Sequence, residues 1–199
     1  MKVKICGITN LEDALVASKF GADAVGFVFY EKSPRYITPE SALKISNSLP
    51  PFILRVGLFV NESAEYINQI CSFSKMHTAQ IHFEAKESLY EKLSIPHIKV
   101  IRAKSAEDVQ MYSNEYRIID AFSEQFGGSG SRCNLSWFDN MDCSKIILAG
   151  GLTCDNLLEL KDYNFYGVDV SSGVEEKKGK KSSERVRLFI ESVKLNARK

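Results

Sequence analysis

The chain has 199 residues, 44% of them hydrophobic, which is enough to bury one sizeable core, and no linker-like stretch divides it. It therefore reads as one domain over residues 1–199. Lys and Arg number 26 against 25 Asp and Glu, so no overall field points to nucleic acid or an anionic membrane surface as a partner, and an anionic ligand has to be held locally.

At the amino terminus, Met1–Cys6 lacks the charged, apolar and small-residue regions of a secretory signal, and the apolar runs further on are too short to span a bilayer. A cytoplasmic protein is expected. Short β-branched and aliphatic runs then recur along the chain, at Val3–Cys6, Ala24–Phe29, Leu54–Val60, Ala79–His82, Lys99–Ala103, Arg117–Ala121, Lys145–Ala149 and Gly167–Val170. Between them lie stretches with helical spacing. Asn10 or Thr9 precedes a helix over Leu11–Phe20, Thr38-Pro39 one over Glu40–Ser48, Asn61 one over Glu62–Cys71 and Ser105 one over Ala106–Tyr112, as polar caps and an early proline predict. Lys86–Leu93, a short Leu135–Asn140, Cys154–Lys161 and Ser182–Leu195 supply the rest. Eight strands alternating with eight helices close into a (β/α)₈ TIM barrel of the α/β class, with an open doubly wound sheet as the alternative. The charged stretch from Glu175 to Lys181 reads as a solvated loop.

Five cysteines, Cys6, Cys71, Cys133, Cys143 and Cys154, are odd in number and contain no C-x-x-C pair, so free thiols are expected rather than a disulfide framework or a zinc site. Gly128-Ser129-Gly130 lacks the third glycine and the following helix of a dinucleotide fingerprint, which argues against a nicotinamide cofactor. No metal and no other cofactor is implied.

In a barrel of this kind the chemistry sits where the strands end. Those ends carry Cys6-Gly7, Ser33-Pro34-Arg35-Tyr36, Gln80 and His82, Asp120 followed by Gly128-Ser129-Gly130, Gly150-Gly151, and Asp169 followed by Ser171-Ser172-Gly173. The glycine-bearing turns after strands seven and eight suit a phosphate held by backbone N–H groups. Alternation along the first strand puts Cys6 on the side of Lys4 and Lys2, facing the barrel mouth, with Val3 and Ile5 facing the helices. Asp120 ends an apolar strand, where a carboxylate needs a partner or a task. Taken singly, Cys6 fits a small buried hydrophobe and Asp120 a helix cap or ion pair.

Together, Lys4-Ile5-Cys6-Gly7-Ile8-Thr9, Ser33-Pro34-Arg35-Tyr36-Ile37, Val56–Asn61, Gln80-Ile81-His82, Gly127-Gly128-Ser129-Gly130, Leu148–Leu152 and Val168–Glu175 resemble the phosphoribosylanthranilate isomerase family in order and spacing, end to end. The resemblance implies the (β/α)₈ barrel and an Amadori rearrangement of a phosphoribosyl amine in tryptophan biosynthesis. It also implies Cys6 as general base, Asp120 as general acid, Arg35 on the anthranilate carboxylate, and the turns at Gly150-Gly151 and Ser171-Ser172-Gly173 on the phosphate. Gln80, His82, Gly128, Ser129, Gly130 and Asp169 complete the expected substrate-binding set. The partner is a small phosphosugar, and the chain acts as a monomer or homodimer. Two positions depart from the family pattern, Phe83 after His82 and Ser182 after Lys181; a serine still caps a helix. Other phosphosugar barrels compete, as does a non-catalytic phosphate-binding barrel, which would need neither Cys6 nor Asp120.

Overall fold

The computed structural model describes residues 1–122 and 132–196. Eight parallel strands close into a barrel in chain order: β1 Lys2–Ile5, β2 Ala24–Val28, β3 Leu54–Phe59, β4 Thr78–Ile81, β5 His97–Ala103, β6 Arg117–Ala121, β7 Ile146–Leu148 and β8 Gly167–Val170. The last strand pairs with the first, Lys4 opposite Asp169 and Ile5 opposite Val170.

Side chains alternate across the barrel wall. Val3, Ile5, Val25, Phe27, Phe59, Ile81, Ile119, Leu148 and Val168 point outward into the main core, against Ala14, Ala17, Ile45, Ile67, Phe189 and Ile190 of the surrounding helices. The inward-facing residues form two smaller apolar groups, one of Cys6, Val28, Leu58 and Val60 and one of Val100, Ile118 and Ala149.

Four α-helices follow the first four strands: α1 Leu11–Phe20, α2 Pro39–Ser48, α3 Ala64–Phe73 and the single turn α4 Glu87–Tyr90. Asn10 caps α1 by accepting from the Asp13 N–H, and Gly21 ends it in the left-handed conformation. Thr38 caps α2 ahead of Pro39. The expected cap of α3 is corrected: Ser63 accepts from the Tyr66 N–H, whereas Asn61 has φ 55° in the turn before it.

The expected helices after strands five, six and seven are replaced by 3₁₀ turns over Asp108–Gln110, Leu135–Phe138 and Cys154–Leu160. Leu157 and Leu160 are buried while Leu158 is exposed, a three-residue spacing that suits three residues per turn. The α-helix α5 Ser183–Asn196 closes the ring, and Ser182 accepts from the Arg185 N–H at its start.

The stretch expected as a solvated loop is instead a hairpin, β9 Glu175–Lys177 with β10 Lys180–Lys181. Its tip, Glu176 to Lys178, is exposed, but Glu175 and Lys181 are buried. The start of α1 draws the hairpin in. Asp13 accepts from the Lys181 N–H at 2.7 Å and from Lys180 Nζ at 2.7 Å, and Thr9 donates to the Gly179 carbonyl. The charges at the two ends of the stretch thus belong to a folded layer over the barrel mouth.

Candidate active site

Buried polar side chains gather inside the barrel. Lys4 is 6%, Gln80 1%, His82 6% and Asp169 7% exposed, values that charged and amide groups reach only with partners or a function. Lys4 Nζ donates to both carboxylate oxygens of Asp169, each at 2.9 Å. Burial alone would lower the Lys4 ammonium, but Asp169 and Cys6 outweigh it and hold the group above its ordinary value.

Cys6 is buried beside this pair. Burial pushes its thiol up, Lys4 and Lys181 pull it down, and Asp169 pushes it up again, so the net shift is upward. Asp120 is pushed up to about 6, first by burial and then by Asp169, with Arg102 and Lys4 opposing. Cys6 and Asp120 come from β1 and β6, yet both feel Lys4 and Asp169, so a single electrostatic cluster contains them.

His82 Nε2 lies 3.7 Å from Asp120 Oδ2, too long for a hydrogen bond. Burial pushes His82 down to about 4, with Arg102 and Lys4 acting the same way, so the ring is neutral at pH 7. The Gln80 side-chain oxygen is buried without a hydrogen-bond partner among the described residues, an acceptor that suits a ligand hydroxyl.

Arg35 is brought in by the loop after β2 and is 8% exposed. Its Nε and Nη2 donate to the two oxygens of Glu175, both at 2.8 Å. That bidentate pair fixes the guanidinium plane, leaving the Nη1/Nη2 edge for an incoming anion. Lys181, whose side chain is fully buried, donates to Glu175 at 3.0 Å and to the Ser171 carbonyl at 3.2 Å. Glu175 and Lys181 thus link the Arg35 end of the mouth to the Ser171-Ser172-Gly173 turn. Neither was singled out from the sequence, although Glu175 ends one of the resembling blocks.

The turns after β7 and β8 are built on glycine for separate reasons. Gly150 and Gly151 have φ of 85° and 58°, which L side chains rarely adopt. At Gly173 a Cβ would lie 1.8 Å from the Leu152 carbonyl oxygen, so the two turns touch backbone to backbone. Asn156 reinforces the first turn, donating to the Gly151 carbonyl at 2.9 Å and accepting from the Thr153 N–H at 3.0 Å. The expected residues Gly128, Ser129 and Gly130 lie outside the described residues.

All five cysteines are free. Burial pushes Cys71 and Cys133 up to about 12, and Cys143 up to about 11. Cys133 also feels the charge of Asp120, so Cys71, on α3, is the better silent control. Among the described residues no group of three or more His, Cys, Asp or Glu side chains could hold a metal ion, and no helix is long and apolar enough to cross a membrane.

The fold and this cluster define a (β/α)₈-barrel protein with a raised carboxyl and a buried thiol at the carboxyl ends of its strands, flanked by an anchored arginine and glycine turns. The family model described as N-(5'phosphoribosyl)anthranilate (PRA) isomerase matches residues 3–192, and the chain belongs to that family. The N-(5'-phosphoribosyl)anthranilate isomerase of a Nitratiruptor species is 60% identical over 195 residues, covering 98% of this chain and 100% of that protein. The crystal structure of phosphoribosyl anthranilate isomerase from Thermotoga maritima superimposes with a TM-score of 0.89 at 41% identity, covering 98% of each chain. A PRA isomerase in complex with reduced 1-(o-carboxyphenylamino)-1-deoxyribulose 5-phosphate superimposes with a TM-score of 0.83 at 40% identity, again over 98% of each chain.

Proposed function

We propose that the barrel mouth converts N-(5-phosphoribosyl)anthranilate to 1-(2-carboxyphenylamino)-1-deoxyribulose 5-phosphate in tryptophan biosynthesis, with Asp120 as general acid and Cys6 as general base. The observation that carries the residue assignment is that Cys6, just past β1, and Asp120, on β6, both lie within electrostatic reach of the same buried Lys4–Asp169 pair. The ligand of the related complex, a reduced product, matches the proposed substrate class.

The chemistry needs two proton transfers. The amine lone pair drives the C1–O bond open while protonated Asp120 delivers its proton to the departing ring oxygen, leaving an iminium. That cation acidifies the C2 proton, which the Cys6 thiolate removes. The C2–H electron pair forms the C1=C2 bond while the C1=N π pair returns to nitrogen, giving an enolamine, which tautomerises to the ketone. Raised values fit the first transfer, since a carboxyl near 6 keeps a protonated fraction near neutrality that a solvated aspartate does not. They oppose the second, since burial disfavours thiolate. The iminium forms beside Cys6 as a positive charge and lowers that cost at the step that uses it.

Binding falls to the remaining groups. The turns at Gly150-Gly151 and Ser171-Ser172-Gly173 hold the phosphate through backbone N–H groups, Arg35 presents its open edge to the carboxylate, and Gln80, His82 and Asp169 face the ribulose hydroxyls. The site works on a small phosphosugar in a cytoplasmic monomer or homodimer, and five free thiols suit a reducing compartment.

The test is the loss of anthranilate-type fluorescence when the purified protein meets freshly generated substrate. Cys6→Ala and Asp120→Asn should each lower kcat by roughly 10²-fold or more with little change in KM, and Cys71→Ala should leave both unchanged. Near-normal kcat in either site variant removes that residue from the chemistry.

A further inference from the structure

Cys6 and Lys4 leave β1 on the same side, toward Gly26 of β2, whose neighbours Ala24 and Val25 pair with Lys4 and Ile5. A Cβ at Gly26 would stand 2.8 Å from Cys6 Sγ and 3.1 Å from Lys4 Nζ. Sulfur and ammonium therefore converge over bare backbone, within the roughly 6 Å across which an opposite charge shifts a titration. Any other residue at position 26 would drive its side chain into this contact.

We propose that Lys4 is a positioning residue for the isomerisation: its ammonium, held over Gly26 by both oxygens of Asp169, stabilises the Cys6 thiolate that removes the C2 proton. The proposal rests on the reading of Cys6 as base. Asp169 has a double part. A buried ammonium without a counterion gives up its proton, so Asp169 keeps Lys4 charged and in place. Its own charge also opposes the thiolate, which limits how far Lys4 can pull the thiol down. The other charged groups acting on the sulfur are Lys181 of β10, which favours the thiolate, and Arg35 after β2.

The same geometry predicts shifts of opposite sign, which a merely structural role would not produce. The measurement is the rate of Cys6 alkylation by iodoacetamide against pH, read by peptide mass spectrometry so that the other four cysteines do not interfere. Lys4→Met should raise the midpoint by one pH unit or more, on the order of tenfold less thiolate at any pH below it. Gly26→Ala should raise it too, with every charge retained, because the methyl parts sulfur from ammonium. Asp169→Asn should lower it, because an opposing anion is lost and the thiolate itself becomes the counterion that keeps the Lys4 ammonium charged. The Gly26 and Asp169 variants keep the test decisive should Lys4→Met fold poorly. Shifts of the same sign in all the variants mark general loosening of the mouth and overturn the proposal, as does an unmoved midpoint in Lys4→Met and Gly26→Ala.

Turnover separates this proposal from the assignment beneath it. In Lys4→Met kcat at pH 7.5 should fall by on the order of tenfold and climb back as the pH is raised, with KM nearly constant. A moved midpoint with unchanged turnover would remove Cys6 as base, and Lys4 with it. An unmoved midpoint, with Cys6→Ala still inactive, would leave the base in place and overturn the pairing alone.

Discussion

Asp120→Asn should stabilise the protein while disabling it, and the pH at which the stability appears is fixed by the site. The carboxyl stands at about 6 against an ordinary 3.8, because burial and Asp169 penalise its charge. The group is 15% exposed, so the penalty is only weakly screened. Below pH 4 it is neutral in both folded and unfolded chains and contributes nothing. Between 4 and 6 the unfolded chain ionises while the folded one keeps its proton, and each pH unit costs the folded state about 1.4 kcal/mol. Above 6 both are ionised, and the accumulated cost is roughly 3 kcal/mol. Asparagine removes the charge at almost constant shape. Urea unfolding of wild type and variant from pH 4 to pH 8 should therefore give curves that coincide at the acid end and separate by about 2–3 kcal/mol at pH 7, with the variant the more stable. The gain should accompany the loss of kcat that the proposed general-acid role predicts. A difference that does not change with pH would refute the reasoning, since it would place Asp120 in an environment that does not penalise its charge.

His82 should show the opposite acid behaviour. Its depressed value of about 4 means that stability is lost as the pH falls from 6.5 through 4, so His82→Gln should unfold at higher urea than wild type at pH 4.5 and nearly the same at pH 7.5. Glu175→Gln strips a shared counter-charge from the buried Arg35 and Lys181; unfolding midpoints should show a loss of about 3–5 kcal/mol, and KM should rise as the guanidinium loses its anchor. Gly173→Ala drives a Cβ to 1.8 Å from the Leu152 carbonyl, forcing apart the two turns assigned to the phosphate, so steady-state kinetics should show KM up by roughly tenfold with kcat little changed.

The barrel itself was legible because its strands announce themselves as short β-branched and aliphatic runs, each followed by a stretch with helical spacing. Val3 and Ile5 pack on helices while Lys4 and Cys6 face inward, as period two requires. The helices after the fifth to seventh strands were not, because a helical spacing of apolar residues is a weak signal over seven residues. For the segment after the fifth strand, Lys99 and Arg117 carried the missing information. Both sit on the outward faces of β5 and β6, where an α-helix would lay apolar side chains, and both are buried. Arg117 Nη2 donates to the Val109 carbonyl at 3.0 Å, and Nη1 to the Glu115 carbonyl at 3.3 Å. Lys99 lies 4.0 Å from the Tyr112 ring centre and 3.2 Å from Glu115. Cations at those two positions need carbonyls and aromatic faces, which an irregular segment with one 3₁₀ turn supplies and an intact helix, whose carbonyls are already engaged, does not.

The same rule explains what was missed in the site. Strand ends point to Cys6, Gln80, His82, Asp120 and Asp169, since each side chain's direction follows from its strand. Glu175 and Lys181 sit in a charge-rich stretch that by composition alone resembles solvated surface, and their burial follows from a long-range event, the capture of the hairpin by Asp13 at the start of α1. Asp13 is itself 2% exposed, an acidic residue in the first turn of a helix that faces inward rather than to solvent. The local cap at Asn10 and the distant backbone N–H of Lys181 both meet Asp13, so the geometry that starts α1 also seats the hairpin carrying Glu175. Through Glu175 it orients Arg35, 22 positions along the chain from Asp13. Loss of that carboxylate would loosen the hairpin before it disturbed the barrel, so its expected signature is a raised KM in a protein whose strands still pair.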